Sequence, residues 1–167
     1  MKNLFPAVAF FALLGCGEGA MPPEERKAKM EEQERALAPV AEVYRDATKA
    51  CLDFSDAGAL DMGFLSDKNF IETSFLGRIS YKHTFEGRKI RWGHNLFISV
   101  LTENDTICMI ESNDFHTSVA EKAALQTLQN DGWQEIRRST FERNGVKLSI
   151  SISDIGAGRF LKFRKFK

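Results

Sequence analysis

Apolar positions along this chain change their spacing from segment to segment, and each spacing predicts an element. Val40, Val43, Tyr44, Ala47 and Cys51 recur at steps of three and four, which predicts a helix with one apolar stripe, opened by Pro39. Residues 55–62 read as a short helix with Gly63 as its left-handed stop. Imperfect alternation over residues 75–85 predicts a strand. The near-continuous apolar run 96–101 predicts another, with a turn at Glu103-Asn104-Asp105 and a hairpin partner over 106–110. Ser118-Val119-Ala120-Glu121 has the form of a capping box, so a helix starts there and runs to about Asn130, where Gly132 supplies the stop. Three strands follow, over 133–141, 146–152 and 159–163. Val146, Leu148, Ile150 and Ile152 alternate with Lys147, Ser149 and Ser151, so one face of that strand is buried and the other wet. Asn144-Gly145 tolerates positive φ at both positions and predicts a tight hairpin.

These elements define an α+β class, with two core helices packed on antiparallel sheet or sheets. A short echo suggests two helix-then-strands halves: Asp61-Met62-Gly63-Phe64 closes one helical piece before strands, and Asn130-Asp131-Gly132-Trp133 closes another.

The first residues have a different character. Lys2 is followed by an apolar run from Leu4 to Leu14, broken only by Pro6 and too short to span a bilayer as a helix. Its length suits a secretory h-region. Leu13-Leu14-Gly15-Cys16 closes it and resembles the lipobox of bacterial lipoprotein precursors, with Leu14 bulkier than the small residue common at that place. The resemblance covers this segment alone. It implies that Cys16 is acylated and becomes the first mature residue, that 1–15 is a signal peptide, and that the protein is held in a bacterial cell envelope. Gly17 rather than Asp after that cysteine implies the periplasmic face of the outer membrane. Cleavage after Gly17, which would release a soluble periplasmic protein, is the competing reading.

Residues 16–37 read as a charged tether, since only Met30 and Leu37 are large and apolar after Pro22-Pro23, and 38–167 as a single globular domain. Glu25 four before Lys29 and Glu31 four before Arg35 support a solvated helix in the tether.

Composition narrows the function classes. Lys plus Arg number 23 and Asp plus Glu number 23, so no net charge grips nucleic acid. With Cys16 acylated, Cys51 and Cys108 remain, and an exported pair favours a disulfide between the helix and a strand over two buried thiols. His83, His94 and His116 form no metal-binding spacing, and no cofactor motif, nucleophile elbow or phosphate loop occurs.

Arg78, Tyr81, Lys82, Arg91 and Trp92 mix basic and aromatic residues over a short stretch, and Arg159, Lys162, Arg164, Lys165 and Lys167 do so around Phe160, Phe163 and Phe166. In an exported protein such surfaces suit anionic lipid, acidic polysaccharide or an acidic partner; charged outer faces of strands are the plainer account. The sequence therefore points to a membrane-anchored, non-catalytic binding or assembly role toward an envelope protein or cell-wall component. A small periplasmic hydrolase using residues such as His83, His94 and Asp154, or an inhibitor or immunity protein, is the alternative.

Overall fold

The computed structural model describes residues 22–75, 77–90, 93–114, 117–155 and 158–166. The Leu13-Cys16 segment, Arg91, Trp92 and His116 lie outside them. The chain divides into two units, Met1–Glu34 and Arg35–Lys167. In the first, the described residues are helical and exposed from Pro23, with Glu25–Lys29 and Lys27–Glu31 pairs one turn apart at 3.5 and 4.0 Å. Among the described residues, no helix is long and apolar enough to cross a membrane.

The fold is α+β. In chain order it runs α1 (Pro23–Ala57), α2 (Met62–Asp67), β1 (Ile71–Phe75), β2 (Arg78–Lys89), β3 (Asn95–Asn104) and β4 (Ile107–Ser112), then α3 (Thr117–Asn130), β5 (Gln134–Arg137), β6 (Thr140–Arg143), β7 (Val146–Ile155) and β8 (Gly158–Phe166). All strand pairings are antiparallel, and the sheet order is β1-β2-β3-β4-β8-β7-β6-β5.

That palindromic order is the signature of an internal repeat: a helix, then a four-stranded meander, made twice and joined through the last strand of each. The register agrees. Glu72, Tyr81, Val100 and Ile110 are successive cross-strand partners in the first half, as are Glu135, Phe141, Leu148 and Lys165 in the second. On this correspondence Cys108 matches Phe163, and these two residues face each other across β4 and β8. A pseudo-twofold axis therefore passes between them.

The two halves begin with the same helix stop. Phe70 N–H bonds the Leu65 carbonyl and Asn69 N–H that of Ser66, both at 2.9 Å; Trp133 N–H bonds the Leu128 carbonyl at 2.9 Å and Gly132 N–H that of Gln129 at 3.1 Å. Both are Schellman motifs, with a left-handed residue (Asn69, φ 60; Gly132, φ 80) and a buried leucine–aromatic contact across the stop. The correspondence is thus Leu65–Phe70 with Leu128–Trp133, six residues later in the first half than the echo Asp61–Phe64 suggested. Gly63 is not a stop: the Asp61 carboxylate accepts the Phe64 N–H at 3.0 Å and starts α2 where an end was expected. Since a Cβ at Gly132 would meet nothing within 4 Å, Gly132→Ala tests backbone strain alone. It should destabilise by about 1 kcal/mol, and Asn69→Gly should be neutral or slightly stabilising, both read from urea midpoints.

Other departures have equally local causes. Pro39 lies inside α1 rather than opening a helix. Its missing N–H leaves the Arg35 carbonyl without an intrahelical donor, yet the helix continues because Val40, Val43 and Tyr44 are buried just beyond it. Gly58 (φ 77), with its N–H on the Phe54 carbonyl, ends α1. The expected strand 133–141 is a hairpin, β5–β6, because Glu135 Oε1 accepts the Ser139 N–H at 3.0 Å and holds Ser139 at φ 58. Residues 75–85 likewise fall across two strands, with Gly77 (φ 75) in the turn. α3 begins at Thr117, so Ser118 lies in its first turn rather than capping it.

Buried residues of all three helices, with Leu96, Ile98, Val100, Cys108, Ile110, Leu148, Leu161 and Phe163, form one core. Strand alternation then places the intervening side chains on the opposite face. There Leu101, Ile107 and Met109 form a second, smaller cluster backed by Phe160, which no helical residue joins.

α1 passes over the pseudo-axis on the helix-covered face, where its Cys51 meets Cys108. Cys51 is joined by a disulfide to Cys108, with Cα atoms 5.5 Å apart. On one side Asp46 of α1 pairs with Lys68 at 3.2 Å; on the other Lys49 pairs with Asp131 at 3.4 Å. Lys68 and Asp131 occupy the same place in the two Schellman motifs.

Candidate functional site

The helix-free face of the sheet gathers the charged side chains that alternation turns away from the core. β2 contributes Arg78 and Lys82, β8 contributes Lys162 and Arg164, and β7 contributes Lys147 with the column Ser149, Ser151, Ser153. Cross-strand pairing sets these in rows: Lys82, Ser99, Glu111, Phe160 and Ser153 form one, and Ser80, Leu101, Met109, Lys162 and Ser151 the next. The basic residues of β2 and β8 are three strand spacings apart, about 14 Å, across a floor of Leu101, Ile107 and Met109.

That floor is only 5, 6 and 3% exposed, and no residue of the described helices joins its cluster. Phe160 packs against it. Lys162 reaches Glu103 at 3.2 Å, and the Lys82 ammonium lies 4.3 Å from the centre of the Phe97 ring. Arg78, Arg164 and Lys147 have no ion-pair partner among the described residues. A hollow of about 330 Å³ opens beside Arg78, floored by Leu101 and Met109 and bounded by Glu103.

Two polar groups are set into this face. Ser99 is fully buried, and its hydroxyl has no hydrogen-bond partner among the described residues. Glu111 is directly opposite it on β4. Desolvation raises the Glu111 pKa, against the opposing pull of Lys82 and Arg78. A carboxyl whose pKa is higher folded than unfolded weakens the fold when ionised, and that penalty fades as pH falls toward its ordinary value of 4.5. Glu111→Gln should therefore stabilise the protein at pH 7, and the difference from the parent should shrink steadily down to about pH 4.5 in urea titrations.

The remaining candidate residues separate. Tyr81, between Arg78 and Lys82 in sequence, takes the helix side of β2, packs against the main core and donates to Glu72 Oε2 at 3.3 Å. Arg91 and Trp92 lie outside the described residues. His83 is held in the packing: its Nδ1 is 3.2 Å from the Lys68 carbonyl, and its ring lies against Phe70 and Phe85 at 5.6 and 4.9 Å. His94 is exposed, and the Asp154 side chain lies outside the description. Among the described residues, no group of three His, Cys, Asp or Glu side chains is placed to hold a metal ion.

Hydropathy gave no hint of an ion network on the helix side. Arg143 of β6 bonds Asp131 at 2.8 Å and Asp56 of α1, and its guanidinium lies 4.8 Å from the Trp133 ring centre. Asp131 also meets Lys49, which pairs with Asp53 as well. Burial alone disfavours the Lys49 charge, but Asp53 and Asp131 more than offset this and raise its pKa. The network ties α1 to the second Schellman turn and is structural in character.

The helix side also holds a cleft of about 300 Å³ under the N-terminal half of α3, floored by Phe141, Leu161, Ile150 and Ile152, with Glu121 and Glu135 in its walls. α3 has 14 residues and α2 has 6, so the extra turns of α3 supply a wall with no counterpart in the first half.

No family model matches the chain, and no curated protein or solved structure matches it either.

Proposed function

We propose that this is a lipid-anchored protein of a bacterial cell envelope with a non-catalytic binding or assembly role, and that the helix-free face of its sheet is the recognition surface. The observation that carries the binding role is that face: Arg78, Lys82, Lys162 and Arg164 project from the sheet around a largely buried apolar floor, with Arg78 and Arg164 in no ion pair among the described residues. A floor so little exposed offers little apolar area to a ligand, so affinity comes from charge and is salt-sensitive. An acidic surface on an envelope protein or cell-wall component is the matching chemistry.

The anchor rests on Leu13-Leu14-Gly15-Cys16 and its resemblance to a lipobox. One acyl chain anchors marginally and two or more durably, at about 0.8 kcal/mol per buried methylene. The Cys51–Cys108 disulfide suits the oxidising compartment to which such an anchor leads.

Cell fractionation tests the anchor: Cys16→Ser should move the protein from the membrane fraction to the soluble periplasm, and unchanged retention counts against it. Crosslinking in intact cells followed by pull-down tests the face. Arg78→Glu with Lys82→Glu should lose the captured envelope component while Lys122→Glu, on α3, keeps it. Equal capture by both removes the face from the proposal.

A further inference from the structure

The cleft under α3 differs in kind from the helix-free face. Its floor is apolar and reachable, for Ile150 and Ile152 are only partly buried at the edge of the core. Its walls carry two carboxylates, Glu121 and Glu135, and neither has an ion-pair partner among the described residues. Glu135 uses Oε1 to hold the Ser139 N–H at 3.0 Å, which fixes the carboxylate and leaves Oε2 to face a ligand. Arg137 and Arg138 are exposed nearby and pair with neither carboxylate. Leu125 of α3 lines the cleft while 44% exposed, so its apolar surface reaches the mouth. At about 300 Å³ the cleft is at the lower limit of small-molecule sites.

We propose that this cleft docks a basic, apolar segment of a protein partner. An apolar side chain enters over Phe141 and Leu161, and a flanking lysine or arginine pairs with Glu121 and Glu135. Charge complementarity selects the occupant, since two unpaired carboxylates beside apolar surface repel acidic chains and attract cationic ones. Leu125 at the mouth supports the rest of the segment. This second contact stands whether or not Cys16 is acylated and whatever the helix-free face binds.

Calorimetric titration of the purified full-length chain with three probes tests it. The probes are a peptide with a Leu-Phe centre flanked by lysines, its glutamate-flanked twin, and n-octylammonium. The lysine-flanked peptide should bind at least tenfold tighter than its twin. Glu121→Gln combined with Glu135→Gln should erase that preference, because glutamine keeps the acceptor that holds the Ser139 turn. Leu125→Lys, at an exposed helix position that leaves folding intact, should weaken the lysine-flanked peptide at least tenfold. Equal binding of the two peptides, binding by neither, or a preference that survives both variants overturns the proposal. Octylammonium binding as tightly as the peptide also overturns it, in favour of a small-amine site.

Discussion

Phe163→Ala should destabilise the protein by about 3–5 kcal/mol, the range for removing a fully buried phenylalanine ring. Phe163 has no exposed surface, and its strand β8 lies between β4 and β7, where it pairs with Cys108 and Ile150. Flanked by strands on both sides and covered by helices, the site cannot collapse onto the space left behind, so the upper part of the range is expected. Phe166 supplies the control. It is on the same strand and 43% exposed, and Phe166→Ala should cost under about 1 kcal/mol. Urea unfolding of both variants checks the pair; comparable losses would mean that the centre of β8 is not the centre of the core.

Loss of the Cys51–Cys108 bond is the second large effect. The bond closes a loop across a sequence separation of 57, which in the chain-entropy account stabilises by about 4 kcal/mol. For a domain of this size that is on the order of 10 °C in Tm. Cys51→Ala and Cys108→Ala should lose equal amounts, and the double variant should lose little more than either, because all three remove one bond. Reductant should lower the parent to the same level and leave the variants unmoved. Unequal losses, or losses that add, would mean that each sulfur acts through its own packing.

Much of the architecture is legible in the sequence because local physics and tertiary packing agree there. The β7 alternation, the Asn144-Gly145 turn and the Gly132 stop each depend on a few neighbouring residues, and each stands as expected. The α+β class follows from them. The pairing of Cys51 with Cys108 was legible by elimination rather than by distance. Where the reading slipped, a side chain overrode the pattern: Asp61 began a helix where Gly63 was expected to end one, and Glu135 folded one strand into two. The repeat was visible in outline but six residues out of place, since only a leucine and an aromatic residue spaced five apart mark the true correspondence.

Of the candidate site, Arg78 and Lys82 could be placed together because a strand repeats every second residue. The same rule turns Tyr81 to the other side. Lys162 and Arg164 join their face only through the pairing of β4 with β8, a long-range choice that no local pattern encodes. The cleft under α3 left no trace in the sequence, because its lining comes from four separate segments that carry no shared motif.

A helix resting across an approximate twofold has two similar ways to lie, since half a turn about the axis returns a similar bed. The pairs Asp46–Lys68 and Lys49–Asp131 remove that ambiguity. Matched loops of the two repeats offer α1 opposite charges, so turned end for end it would face like against like on both flanks. The two halves form a near-symmetric cradle, and one exchange of sign within it favours one direction of the helix over the other.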